Sequence, residues 1–408
     1  MRHLVWIFNE QVLSSGNKIL SQVFKHKYIL SALFGGLIIL LAFNFRQIFD
    51  QNLQITILQS NETRLKNELL AVGKQLEDLK NEDQVKINQD LKKEIDNIQK
   101  TYNSAVTVYE KLVDFNGDKK KKSEFEKNFA KSLKLLADKN YTEAGKILSE
   151  VSSGIDTENQ KVIASFKIPE NVTQSNTPPD SGFSRQKVSI DIGDYLVDVV
   201  SADLNSTKVI VDTASDSDCK DNCPTLPLAT YVSRNGAFAG INGSYFCPAE
   251  YPSCAGKTNS FDTLLMNKNK TYFNSDNNVY STVPAVIFSG NSVRFVGQSL
   301  EWGRDSGVDA VLANQPLLVS GSNVVFGGNS DPKQGLKGSR SFVGNKDSTV
   351  YIGVVHNATV AEVARVLQKM GMHNALNLDS GGSTALWSGG YKVGPGRNIP
   401  NALLFIRK

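Results

Sequence analysis

Asn374-Ala-Leu-Asn-Leu-Asp-Ser-Gly-Gly-Ser-Thr-Ala-Leu-Trp387 sets a short apolar strand directly against a polar turn. Along such a strand Leu376 and Leu378 point to one face and Asn377 and Asp379 to the other. Gly381 and Gly382 let the backbone take positive φ and approach a ligand closely. Ser383 and Thr384 add hydroxyls and backbone N–H donors at the same spot, which suits an anionic or polyhydroxylated ligand. Ligands gather at the carboxyl ends of strands in open α/β sheets. A carboxylate there, Asp379, can act as general acid or base, stabilise an oxocarbenium ion or hold a divalent metal. The bland alternative is an aspartate that only caps its own turn.

Upstream of this strand the pattern is helical. Thr359 is an N-cap with Glu362 three residues on, a capping box, and Gly371 is the C′ residue that follows a helix ending near Met370. With a strand at Thr349–Val355 before it and Ala375–Leu378 after it, the order predicts a βαβ crossover. Further β-rich runs alternate with Gly, Asn, Asp and Ser turns at Lys187–Ile192, Tyr195–Ser201, Lys208–Asp212, Val283–Phe288, Ser292–Val296, Ala310–Leu312 and Leu317–Val319. The expected fold class is α+β, with residues 186–408 forming one domain on a mixed β-sheet.

The rest of the 408-residue chain differs in character. Residues 168–185 are rich in Pro, Ser, Asn and Thr and read as an extended linker. Residues 46–167 read as a helical, coiled-coil stalk. Leu58, Leu65, Val72 and Leu79 recur every seven residues with Leu69 and Leu76 between them, an a/d seam that suits homo-oligomerisation; an antiparallel hairpin within one chain is the alternative. Phe125–Val151 predicts a pair of short helices turning near Asp138–Asn140. Residues 28–45 are an apolar run of 18 residues, about 27 Å as a helix against about 30 Å of bilayer core. Arg2, Lys18, Lys25 and Lys27 precede it and only Arg46 closely follows. That asymmetry keeps residues 1–27 in the cytoplasm and sends the rest out of it, as a single-pass signal anchor in the cell membrane. The net charge of +4 is too small for this length to suggest a nucleic-acid partner, and Lys119–Lys122 reads as a solvated charge run.

Four cysteines, Cys219, Cys223, Cys247 and Cys254, flank the Asn242 region. In an oxidising compartment they are disulfide candidates with three pairings open; a four-cysteine zinc site is the alternative.

Several segments together resemble the phosphodiester glycosidase family. Asn377-Leu-Asp-Ser-Gly-Gly-Ser-Thr384 is similar to its Asn-Leu-Asp-Gly-Gly-Gly-Ser-Thr signature, with Ser380 in place of the first glycine. Ala239–Phe246, Asn314–Gly321, Gly338–Ser341 and Arg397–Leu404 resemble four more of its elements, in family order. His356 stands where the family commonly carries an acid. The resemblance covers roughly Val188 to Lys408. It implies a hydrolase acting on a sugar linked through a phosphodiester, here expected on a cell-envelope glycoconjugate. The implied catalytic set is Asp379, Arg340 and Asn242, with Arg340 gripping phosphate through its planar fork. Gly381, Gly382, Ser383, Thr384, Arg397 and Asn401 are the implied substrate-binding residues. Ser383 lacks the nucleophile-elbow context and reads as a donor. The set does not fix a cofactor, and a divalent metal is left open. The competing reading is a non-catalytic envelope-glycan-binding module on a coiled-coil stalk.

Overall fold

A computed structural model describes residues 4–81, 83–276 and 281–408; its side chains begin at Ser31 and omit Ala32, Leu33 and Asp83. The expected cytoplasmic segment 1–27 and the start of the apolar run therefore lie outside the described side chains. The described chain divides into two compact units, residues 1–95 and 96–408.

The first unit is dominated by one helix, Leu4–Asn81. No proline interrupts it, and its leucines, glutamates and lysines are good helix formers. Among the described residues no helix is long and apolar enough to cross a membrane.

The second unit opens with the end of helix Asp83–Asp114, followed by helices Lys119–Ala137 and Tyr141–Ser165. Asp118 and Asn140 cap the latter two through their side-chain oxygens, satisfying backbone donors that have no intrahelical partner. Ala105, Val108, Leu112 and Phe115 pack against Phe125, Ile147, Leu148, Val151 and Ile155. The helical pair expected around Asp138–Asn140 is thus present, and the earlier helix joins it in a three-helix layer.

Among the described residues, the remainder is built from three antiparallel sheets. The largest runs Gly182–Ile190, Gly193–Asp203, Thr349–Ala358, Gly338–Lys346, Asn374–Asn377, Leu317–Ser320, Asn323–Val324. The second contains Ala239–Asn242 between Leu386–Ser388 and Asn401–Arg407. The third is centred on Ala285–Ser289 and Ala310–Ala313. Alternation along the strands decides what each face meets. Val350, Ile352 and Val354 turn into the central core with Ile241, Leu376, Leu378, Leu403 and Phe405. Tyr351 and Val355 turn the other way, onto helix Val360–Lys369.

Two expectations about the sheet need correction. Every strand ladder among the described residues is antiparallel, so the sheet is antiparallel rather than mixed, with parallel pairing confined to an isolated bridge between Gln174 and Lys187. The strand–helix–strand crossover exists, but strand Gly338–Lys346 lies between its two strands and runs against both. It is a split βαβ unit: an earlier segment fills the gap that the crossover leaves. The cysteines pair locally, Cys219 with Cys223 and Cys247 with Cys254, with none free. That selects one of the three pairings and removes the zinc alternative.

Candidate active site

Two strand ends from different sheets meet at the predicted turn. Leaving strand Asn374–Asn377, Leu378 N–H donates to Ser341 O and Asp379 N–H to Gly243 O, each at 2.9 Å. Asn242, at the end of its own strand, closes the junction. Its Nδ2 donates to Asp379 O at 2.6 Å, and its Oδ1 accepts from Ser341 Oγ at 2.8 Å and Ala385 N at 3.1 Å. The amide expected to meet a substrate is therefore engaged at both ends by protein, and its work is to hold the strands together. Asn401 behaves alike: Oδ1 accepts from Ser244 N at 2.9 Å and Nδ2 donates to Ser244 Oγ at 3.0 Å.

The loop explains the departure from the family signature. Ser380 has φ −143° and ψ −173°, extended backbone open to any residue. Its hydroxyl donates to Leu378 O at 3.1 Å and accepts from Ser341 N at 3.3 Å. The next two positions do need glycine. Gly381 has φ +64°, and a Cβ on Gly382 would stand 2.4 Å from Arg397 Nη2.

The Asp379 carboxyl is buried. Loss of solvent pushes its pKa up to about 6; the Ser383 hydroxyl, Ser380 N–H and Arg397 pull the other way, and Asp114 adds to the rise. Ser380 N–H reaches Oδ1 at 2.8 Å. At near-neutral pH this acid exists in both protonation states, as general acid–base work requires.

Two guanidinium groups act on the same region. Arg340 is buried, its Nε donating to Ala358 O at 3.2 Å and its Nη2 to Lys333 O at 2.7 Å and to Leu336 O. Burial lowers its pKa, against the pull of Tyr245, Asp331 and Asp379. Much of its fork is spent on backbone carbonyls, so it is fixed rather than free to close on a ligand. Arg397 donates its backbone N–H to Gly382 O at 2.9 Å and its Nη2 to Asp114 Oδ1 at 3.0 Å. Burial works against its charge, but Tyr251 and Asp114 outweigh that and raise its pKa. Ser383 and Thr384 are buried in the turn, with Thr384 Oγ1 donating to Ser339 O at 3.3 Å.

His356 belongs to another cluster. Its Nε2 lies 2.9 Å from Asp198 Oδ2 and its Nδ1 3.4 Å from Ser339 Oγ, while Arg185 grips Asp198 bidentately at 2.7 and 2.8 Å. Burial raises the Asp198 pKa, but hydrogen bonds from His356 and Arg185 outweigh it and hold the carboxylate ionised. His356 is thus part of a structural ion network.

Several residues at the site escaped the sequence reading. Tyr245 accepts from Asn377 Nδ2 at 2.6 Å through its hydroxyl; burial, with Asp379 nearby, raises its pKa. Tyr251 stacks toward Arg397, ring centroid 5.3 Å from the guanidinium carbon. Tyr245 lay inside the Ala239–Phe246 motif and Tyr251 between two cysteines, so position gave a hint; Asp114 gave none. Among the described residues no group of three His, Cys, Asp or Glu side chains gathers to hold a metal.

The carboxyl-terminal unit is therefore an antiparallel α+β domain that sets a buried acid of raised pKa beside fixed cations where strands from two sheets end. Residues 235–406 match the model of the phosphodiester glycosidase family. Similar solved structures include a hypothetical protein from Synechocystis, at 15% identity and TM-score 0.43, covering 55% of this chain and 62% of that one. Another is the catalytic domain of zebrafish N-acetylglucosamine-1-phosphodiester alpha-N-acetylglucosaminidase, at 13% identity and TM-score 0.43, covering 58% and 87%. The chain thus spans under two thirds of the Synechocystis protein's length. No curated protein matches the chain.

Proposed function

We propose that this protein is a hydrolase that releases a sugar from a phosphodiester, acting on a cell-envelope glycoconjugate. The carrying observation is Asp379, a carboxyl buried beside Arg397 with its pKa raised to about 6. When the anomeric C–O bond breaks, positive charge grows on the sugar and negative charge on the departing phosphate. Arg397 and Arg340, each in electrostatic reach of Asp379, supply the field that neutralises the phosphate. Asp379 donates a proton to the leaving oxygen or, ionised, steadies the oxocarbenium ion, and water adds to the anomeric carbon and gives up a proton, leaving free sugar and a phosphate monoester. Ser383 and the Gly381–Gly382 backbone fix the ligand against the turn. The match of residues 235–406 to the family supports this reading.

Full-length protein incubated with a panel of glycosyl phosphodiesters should release free sugar, and Asp379→Asn should lower kcat by at least 100-fold, the ordinary scale of general acid–base work. Stoichiometric binding without turnover in the wild type would instead establish a glycan-binding module.

The location belongs to the same proposal. A membrane anchor at 28–45 with the domain outside the cytoplasm is supported by the charge asymmetry around that run and by two disulfides, which persist in oxidising compartments. Recovery of the full chain in a carbonate-washed soluble fraction would overturn it.

A further inference from the structure

Asp114 is the last residue of helix Asp83–Asp114, an end where helix carbonyls disfavour a carboxylate. Two donors nevertheless hold it there. Arg397 Nη2 donates to Oδ1 at 3.0 Å and the Tyr251 hydroxyl donates to Oδ2. One turn earlier, Glu110 Oε1 accepts from Ser253 N at 3.2 Å, in the loop that carries Tyr251. At the far end of the helical layer, Asn357 Nδ2 donates to Ile163 O at 3.2 Å, beside the Ala358 carbonyl that holds Arg340. The helices therefore touch the supports of both guanidinium groups.

The Arg397 guanidinium has little freedom left. On one side is the backbone of Gly382, so close that a Cβ would collide with it; Asp114 and the Tyr251 ring hold it elsewhere. Charge-assisted hydrogen bonds fix geometry as well as energy. The Asp114 side chain is 43% exposed, and ion pairs that open to solvent add little to stability. The contact is thus suited to orientation more than to holding the fold.

We propose that Asp114 is a positioning residue of the active site, acting through Arg397 and Tyr251, so that helices 96–165 complete the site rather than only space it. The kinetic part of this proposal rests on the glycosidase reading; the orientation of Arg397 does not.

The test uses full-length protein carrying Asp114→Ala, Asp114→Asn, Arg397→Ala, and Asp114→Ala with Arg397→Ala. On whichever glycosyl phosphodiester the wild type turns over, Asp114→Ala should lower kcat/KM about tenfold, a coupling of ordinary size for groups in contact. The double variant should be no worse than Arg397→Ala alone, because Asp114 acts through that side chain. Unchanged or increased turnover in Asp114→Ala, or additive losses in the double variant, would overturn the proposal. Phenylglyoxal labelling of Arg397, read by peptide mass spectrometry, gives a measure independent of activity. It should rise severalfold in Asp114→Ala, and equal labelling refutes the idea. If the wild type releases no sugar from any substrate, the glycosidase reading fails and labelling alone decides the role of Asp114. Should Asp114→Ala fail to fold, the isosteric Asp114→Asn variant takes its place in both measurements.

Discussion

A carboxyl that gives up water without a full set of compensating partners is held in place at the expense of stability. Asp379 binds its proton more tightly folded than unfolded, because burial outweighs the donors that reach it. The linkage follows from the raised value. Its stabilising contribution is complete below the ordinary carboxylate range and is lost as pH rises through about 6. Asp379→Asn, a permanent stand-in for the protonated acid, should therefore raise Tm relative to wild type at pH 8 and lose that advantage below pH 4, in paired thermal melts. A constant difference across that range would show that the carboxyl is not titrating. If the protonated form is the acid in catalysis, kcat/KM of the wild type should fall above about pH 6. The neighbouring turn makes a sharper contrast. Ser380→Gly restores the family residue at an extended position and should leave kcat within about twofold while costing about 1 kcal/mol for its hydroxyl. Gly382→Ala forces Arg397 aside and should cost at least tenfold in kcat/KM; equal kinetics for the two variants would remove Arg397 from the proposed machinery. The acid was legible because an apolar strand ending in Asp and Gly-Gly is a local pattern. Asp114 was not: it lies 283 positions from the arginine it holds, and nothing local marks such a pairing.

At the scale of elements, local chemistry fixed the helix and long-range geometry fixed the sheet. Thr359 and Glu362 form the expected capping box, because each uses only atoms within four residues. The pairing between strands was not readable in the same way. Gly338–Lys346 enters the sheet between two partners that follow it in the chain, a choice made by burial of Phe342 and Val343 on opposite faces rather than by connection length. The disulfide Cys247–Cys254 closes a short loop that presents Tyr251 to Arg397. A loop of this size stabilises by about 2 kcal/mol on the chain-entropy account. Replacing both cysteines with alanine should lower stability by that amount in denaturant titrations. It should also reduce kcat/KM under conditions where the protein remains fully folded, because the ring loses its fixed place. Loss of stability with kinetics intact would confine the bond to a structural part.

At the scale of the molecule, the helix Leu4–Asn81 carries an apolar stripe that is exposed in the single chain. Its 78 residues extend about 117 Å at the helical rise. Leu58, Leu65, Leu69, Val72, Leu76 and Leu79 are each more than half exposed along it. A stripe with a seven-residue period is buried most completely by another stripe of the same period, which a second copy provides. Each leucine removed from water would contribute about 1.5–3 kcal/mol, enough over six positions to outweigh Gly73, which costs about 1 kcal/mol in a helix interior. The purified full chain in detergent should therefore sediment as a dimer or trimer. Leu65→Glu with Val72→Glu should convert it to monomer, since like charges would face each other across the seam. Sugar release should be unchanged in that variant, because every residue proposed for the site lies within residues 96–408. A monomeric wild type would leave the heptad pattern without a partner, and loss of turnover in the monomeric variant would show that assembly reaches the active site.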